Sequence, residues 1–126
     1  MAPTGPSPTD ASSLGPRAIL TTARNGQVLV MRLAGELDME GAGVFEEAPT
    51  ENASALVLDL SRLDFCDSTG LNALLRLRLD AQGRGVPVHL AALTDRVARL
   101  LEITGADRIF PVHPSVENAL AALERD

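Results

Sequence analysis

The stretch Leu56-Val57-Leu58-Asp59-Leu60-Ser61-Arg62-Leu63-Asp64-Phe65-Cys66-Asp67-Ser68-Thr69-Gly70-Leu71 constrains the fold most: an apolar strand runs into a polar elbow and then into a helix. From Leu56 to Leu60 every residue but Asp59 is apolar, as in a strand buried on both faces. From Leu71 to Leu79 apolar residues recur at Leu71, Leu74, Leu75, Leu77 and Leu79 with no proline, which predicts a broad-faced amphipathic helix. Between them, Asp67-Ser68-Thr69-Gly70 supplies N-cap chemistry, a hydroxyl or carboxylate oxygen accepting from the free N–H groups of the first turn. A serine placed there faces solvent beside the positive end of a helix. Backbone N–H groups at such an end would hold a phosphate on Ser68 without unfolding anything.

The chain has 126 residues, room for one domain that buries about two-thirds of its unfolded surface. Aromatic residues make up only 2%, with no Trp or Tyr, so the core is aliphatic and stacking of nucleic-acid bases is disfavoured. The net charge of −6 is unevenly spread. Between residues 35 and 67, Glu36, Asp38, Glu40, Glu46, Glu47, Glu51, Asp59, Asp64 and Asp67 face Arg62 alone. Nucleic acid and anionic membrane are disfavoured as partners there and a basic protein surface is favoured, although an acidic surface also serves simply to keep a small domain soluble. The single Cys66 excludes an internal disulfide and a multi-cysteine metal site, and a reducing cytoplasm is the expected compartment. Residues 1–16 lack the basic and apolar regions of a targeting signal, and no apolar run has the length of a membrane span.

Residues 1–16 hold Pro3, Pro6, Pro8 and Pro16 among Gly, Ser and Thr, a composition that predicts a disordered tail. The folded domain is expected over 17–126. Ala18 to Ala23 and Val28 to Ala34 read as strands, and Asn25-Gly26 between them favours a tight hairpin, so these two are expected to be antiparallel. Asp38 is placed to cap a weak helix beginning near Met39, burdened by Gly41 and Gly43 and limited by Pro49. After the central strand and elbow, Gly83-Arg84-Gly85 stops the second helix and a strand follows over Val86 to Ala91. Thr94 caps a third helix with a face of Val97, Leu100, Leu101 and Thr104, closed by Gly105. Arg108 to Val112 reads as a last strand, at an edge because of Pro111, and Ser115 opens a final helix through Val116, Leu120 and Leu123. Strand and helix thus alternate from residue 28 onward, which predicts an α/β fold with a mainly parallel sheet of about five strands, the first antiparallel, and about four helices.

Little in the chain argues for catalysis. Ser68 as a nucleophile needs a base, but His89 and His113 are both remote from it in sequence, and no Gly-x-Ser-x-Gly stretch is present. Asp64, Cys66 and Asp67 have no histidine beside them to complete a metal site, and strand alternation places Asp64 and Cys66 on one face. Cys66 reads as an inert buried thiol. No phosphate-cradling glycine loop occurs, and no cofactor is expected. Asp38 and Asp67 are expected near each other, because successive parallel strands present their C-terminal ends on one sheet edge; both are also ordinary helix caps.

Gly35-Glu36-Leu37-Asp38, the strand and elbow ending in Asp67-Ser68-Thr69-Gly70-Leu71, and Thr94-Asp95-Arg96-Val97-Ala98-Arg99-Leu100-Leu101 closing on Thr104-Gly105 resemble the successive signatures of a STAS domain. More narrowly, they resemble the bacterial anti-sigma-factor antagonists. The resemblance covers roughly Ile19 to Leu123, and departs from the family in the short, glycine-rich segment between Asp38 and Leu56. It implies a single STAS domain that is no enzyme but a cytoplasmic regulator of transcription by partner switching. In its unphosphorylated form such a protein binds an anti-sigma factor that is also a serine kinase, freeing the sigma factor. Phosphorylation, here at Ser68, switches binding off, and a phosphatase acting on the phosphoserine restores it. The resemblance further implies that Asp38, Asp67, Thr69, Gly70 and Leu71 belong to the surface that meets the partner. The alternative is a STAS scaffold or sensor module that does not act on a sigma factor.

Overall fold

The computed structural model describes residues 18–39, 41–46 and 48–125; the tail expected over residues 1–16 lies outside them. Five strands form one sheet in the order β1 (Ala18–Asn25), β2 (Val28–Leu37), β3 (Ala55–Cys66), β4 (Val88–Ala91), β5 (Val112–His113). The first pair is antiparallel and the other three are parallel. Gly26, at φ +61°, occupies the first central position of the β1–β2 turn, and Asn25 pairs directly with Val28. Glycine at that position is the requirement of a type II′ hairpin turn.

Among the described residues three α-helices accompany the sheet: α1 (Ser68–Gln82), α2 (Asp95–Thr104) and α3 (Val116–Glu124). Leu71, Leu74, Leu77 and Ala81 of α1 and Val97 and Leu101 of α2 join Leu29, Met31, Leu33, Leu56, Leu58 and Leu90 in the main core on one face of the sheet. On the other face Ala119 of α3, with Val116, Leu120 and Leu123 against it, packs on Val57 and Ala91. Leu79 is 60% exposed, so the apolar stripe of α1 is narrower than its sequence suggests.

Several expected elements differ. The helix near Met39 is not an α-helix: among the described residues between β2 and β3 the chain makes only a 3₁₀ turn, Ala42–Phe45, in keeping with the two glycines there and their cost to helix propagation. The last strand begins later than Arg108. Ala106–Arg108 forms another 3₁₀ turn, Phe110 is buried in the core, and pairing starts only after Pro111, at the sheet edge.

The central strand is longer than its apolar run. Against β2 its register advances from Asp59 to Arg62 while β2 advances from Arg32 to Ala34, and from Leu63 to Phe65 while β2 advances from Gly35 to Glu36. Two bulges in β3 therefore each insert a residue, turning Leu63 and then Cys66 back toward the core face that Leu56, Leu58 and Leu60 line. Asp64 is exposed while Cys66 is buried, so the two do not share a face as strict alternation predicts.

Candidate functional site

The longest neighbouring strands, β2 and β3, end side by side: Leu37 pairs with Cys66, and the Asp67 N–H donates to the Leu37 carbonyl at 3.3 Å. Asp38 and Asp67 thus follow adjacent strand ends on one edge of the sheet, as parallel connectivity requires. Asp38 Oδ1 accepts from the Gly41 N–H at 3.3 Å and steadies the turn that leads into the 3₁₀ segment.

Asp67 is the N-cap of α1. Its backbone is extended (φ −107°, ψ −168°), Oδ1 accepts from the Gly70 N–H at 2.9 Å, and its carbonyl accepts from the Leu71 N–H at 2.8 Å. Of the oxygens in the elbow, the carboxylate takes the capping role. Ser68 is therefore the first residue inside the helix, and it is exposed. No acidic residue lies in the first turn of α1, so the positive end of a 15-residue helix has its cap but no further charge.

Gly70 fits because it has no side chain. A Cβ there would lie 1.9 Å from the Leu37 carbonyl oxygen and 2.7 Å from the carbonyl carbon, both backbone atoms. The first turn of α1 is pressed directly on the end of β2, which holds the Ser68 turn against the Asp38 turn. Leu71 is only 7% exposed and belongs to the core; it anchors the turn from beneath, where no side chain could be offered to another molecule. Thr69 is half-buried and lines a groove of about 220 Å³ with Phe45, Glu46, Asn72 and Arg76, between the 3₁₀ turn and α1. Two apolar side chains beside the elbow, Phe65 at 37% and Met39 at 76% exposure, were missed at the sequence level. The strand periodicity that would place Phe65 is broken by the bulges, and Met39 lies where the sequence pattern predicts the start of a weak helix.

The remaining reactive groups serve the fold. Burial first, and then the Asp67 charge, push the Cys66 thiol up to about 11, and its Sγ contacts the Asp67 carbonyl at 3.6 Å. His89 is buried on β4, and its Nδ1 lies 2.9 Å from Nε2 of His113, so the two imidazoles engage each other. Asp59 is buried on the sheet. Burial opposes its charge, but hydrogen bonds from Ser61 and Arg32 outweigh that and hold its carboxyl below the usual range. The Arg32 Nε and Ser61 N–H donors both lie at 3.0 Å, so this acid is internally balanced and does not add to the charge of the elbow.

Comparison with known proteins decides the family. The STAS domain model matches residues 20–119. The chain belongs to the STAS-domain family of anti-sigma-factor antagonists. It is 34% identical over 103 residues to the anti-sigma F factor antagonist of Paenibacillus polymyxa, spanning 77% of this chain and 87% of that one. The anti-sigma-F factor antagonist RsfB of Mycobacterium tuberculosis is 31% identical over 108 residues, spanning 82% and 88%. A crystal structure of an anti-sigma factor antagonist from Mycobacterium paratuberculosis superposes with a TM-score of 0.72 at 30% identity, over 86% of this chain and 95% of that one. In this STAS protein, the Asp67 cap and the exposed Ser68 occupy the elbow on which the family resemblance rests.

Proposed function

We propose that this STAS protein is an anti-sigma-factor antagonist working in the cytoplasm by partner switching. Its unphosphorylated form binds an anti-sigma factor that is also a serine kinase and frees the sigma factor; phosphate on Ser68 ends that binding, and a phosphatase acting on phospho-Ser68 resets it. The partner meets the Asp38 and Asp67 turns, Thr69 and the groove beside it, with Gly70 and Leu71 holding that surface in place. The protein acts by binding, without enzymatic turnover, on a protein and not on nucleic acid or membrane. Among the described residues no helix is long and apolar enough to cross a membrane.

The observation that carries this reading is the division of labour at the elbow: Asp67 caps α1, which leaves the Ser68 hydroxyl exposed at the first helical position. A phosphate there adds about −1.5 to −2 charges at pH 7. Inside the domain the free N–H groups of the first turn offset it. A partner surface shaped to the unmodified elbow offers no such relief, so binding is lost while the fold stays.

Phosphopeptide mapping after incubation with ATP and a lysate of the protein's own host tests this, with Ser68→Ala alongside. Phosphate confined to Ser68 and absent from the variant is the expected result. An unmodified Ser68, with kinase activity in the lysate verified, would instead favour a scaffold or sensor module.

A further inference from the structure

The two outer edges of the sheet are built differently. β5 offers two residues behind Pro111, a short and blunted edge. β1 offers eight residues in unbroken register with β2, with no proline and no bulge. Its one charged side chain, Arg24, reaches to the carbonyls of Pro49 and Glu51, at 3.3 and 3.1 Å, and does not stand guard over the edge. Soluble proteins blunt a long edge with charge, proline or a bulge, and β1 has none of these in place.

The groups that face outward follow from the hairpin. The turn makes Asn25 and Val28 a pair that exchanges backbone bonds, and antiparallel alternation repeats this at Ala23–Val30, Thr21–Arg32 and Ile19–Ala34. The N–H and C=O groups of Ala18, Leu20, Thr22 and Arg24 then point away from β2.

We propose that this edge pairs antiparallel with β1 of a second copy of the chain, joining two sheets across a two-fold axis. Outward groups can bond only to the same set in the partner. The register that uses all of them sets Ala18 opposite Arg24 and Leu20 opposite Thr22, with Thr21 facing its own copy on the axis. Threonine pairs are favourable across strands, and Arg24 never meets its own copy. Ile19, 51% exposed, comes to lie opposite Ala23. Two chains of net charge −6 thus meet along a strand that carries no acidic residue. Before Ala18, Pro3, Pro6, Pro8 and Pro16 each lack the donor a strand needs and leave residues 9–15 as the longest stretch free of proline, one of them the acidic Asp10, a shorter run than the eight residues that a second β1 brings. The contact is isologous and closes on itself. Since Ala18 pairs with Gly35, β1 starts at the Ser68 end of the sheet, and the two-fold axis puts the two elbows at opposite ends, both open.

Sedimentation equilibrium and amide exchange by NMR on the full chain test the pairing. A reversible dimer is expected at about 100 µM, with slower exchange at Leu20, Thr22 and Arg24 as concentration rises. Thr22→Pro removes an outward N–H and leaves the β1–β2 bonds intact, and Thr21→Arg puts like charges on the axis; circular dichroism checks that both fold. Each is expected to raise the dimer dissociation constant about tenfold or more. The proposal fails if the chain stays monomeric, or if both folded variants dimerise like the wild type. It fails equally if those amides are unprotected in a dimer, or protected at every concentration, which would mean the chain's own N-terminal segment covers the edge.

Discussion

The N-termini of α1 and α2 solve the same problem in opposite ways. Each helix follows a parallel strand of the sheet and each is capped by a side chain: Asp67 accepts from Gly70 N–H at 2.9 Å, and Thr94 accepts from Val97 N–H at 3.3 Å. In α2 the cap is a neutral hydroxyl, and the first helical residue, Asp95, supplies a permanent negative charge to the helix end. In α1 the carboxylate is spent on the cap, and the first helical residue is an exposed serine. The third position differs too, being Val97, a core residue, in α2 and Gly70, pressed on a neighbouring strand end, in α1. One helix end is finished by its own sequence. The other is clamped from below and left with a position that a phosphate would complete.

The clamp gives the largest expected effect. Gly70→Ala drives a Cβ into the Leu37 carbonyl, where backbone must move, and is expected to destabilise the fold by about 3 kcal/mol. Urea unfolding measures it. A loss of only a few tenths would mean that α1 is not clamped and that the two helix ends are alike after all.

Exchange of the first helical residues comes next. Ser68→Asp is expected to weaken binding of the anti-sigma partner by about a hundredfold, or roughly 2.7 kcal/mol, while Ser68→Ala binds constitutively. The same Ser68→Asp change leaves the monomer as stable as before or a few tenths of a kcal/mol more so, since it gives α1 the charge that α2 already has. Asp95→Ser in α2 is expected to cost a similar few tenths and leave partner binding intact. Calorimetric titration with the purified partner separates the cases: equal effects of the Ser68→Asp and Asp95→Ser variants on binding would show that the contrast between the helix ends has no functional content.

The parts of this design that could be read from the residues are the local ones. Thr94, Gly105 and Ser115 take the capping positions their chemistry indicates, and at the elbow, where hydroxyl and carboxylate oxygens are both on hand, the Asp67 carboxylate takes that role. The alternation of strand and helix was enough for a mainly parallel sheet, and the elbow with its flanking signatures was enough for the family. What escaped was whatever depends on registration between strands. The run from Ser61 to Cys66 loses its period because two bulges re-phase it against β2, so these last residues of the strand carry no strand pattern and Phe65 has no assigned face. Phe110 is apolar because the core takes it, not because a strand does. Gly70 could be suspected only by comparing the third positions of the three helices, where α2 has valine and α3 has asparagine; its contact with Leu37 is a meeting of residues far apart in the chain.

A second contrast, with a smaller expected effect than the clamp or the switch, separates two carboxylates of one segment, Asp67 at the elbow and Asp59 eight residues earlier. Asp59 is only 6% exposed and accepts from Ser61 and from Arg32, which is itself largely solvated, so Asp59→Asn is expected to cost about 1 kcal/mol at pH 7. Because its carboxyl is held below the usual range in the fold, the charged form contributes fully above the ordinary carboxylate pKa of about 4. As pH falls through that value and then through the lower folded one, the carboxylate protonates and the contribution disappears. The stability gap between wild type and Asp59→Asn should therefore be full at pH 7 and close below about pH 4, as followed by urea unfolding across that range. Partner binding by the variant should match the wild type, since Asp59 lies on the sheet away from the Ser68 turn and its charge is met by Arg32. A gap that persisted unchanged at pH 3 would assign the loss to packing. A loss of binding at neutral pH would show that the acidic surface acts as one field, and that the contrast between the two helix ends is too local a description of how the protein meets its partner.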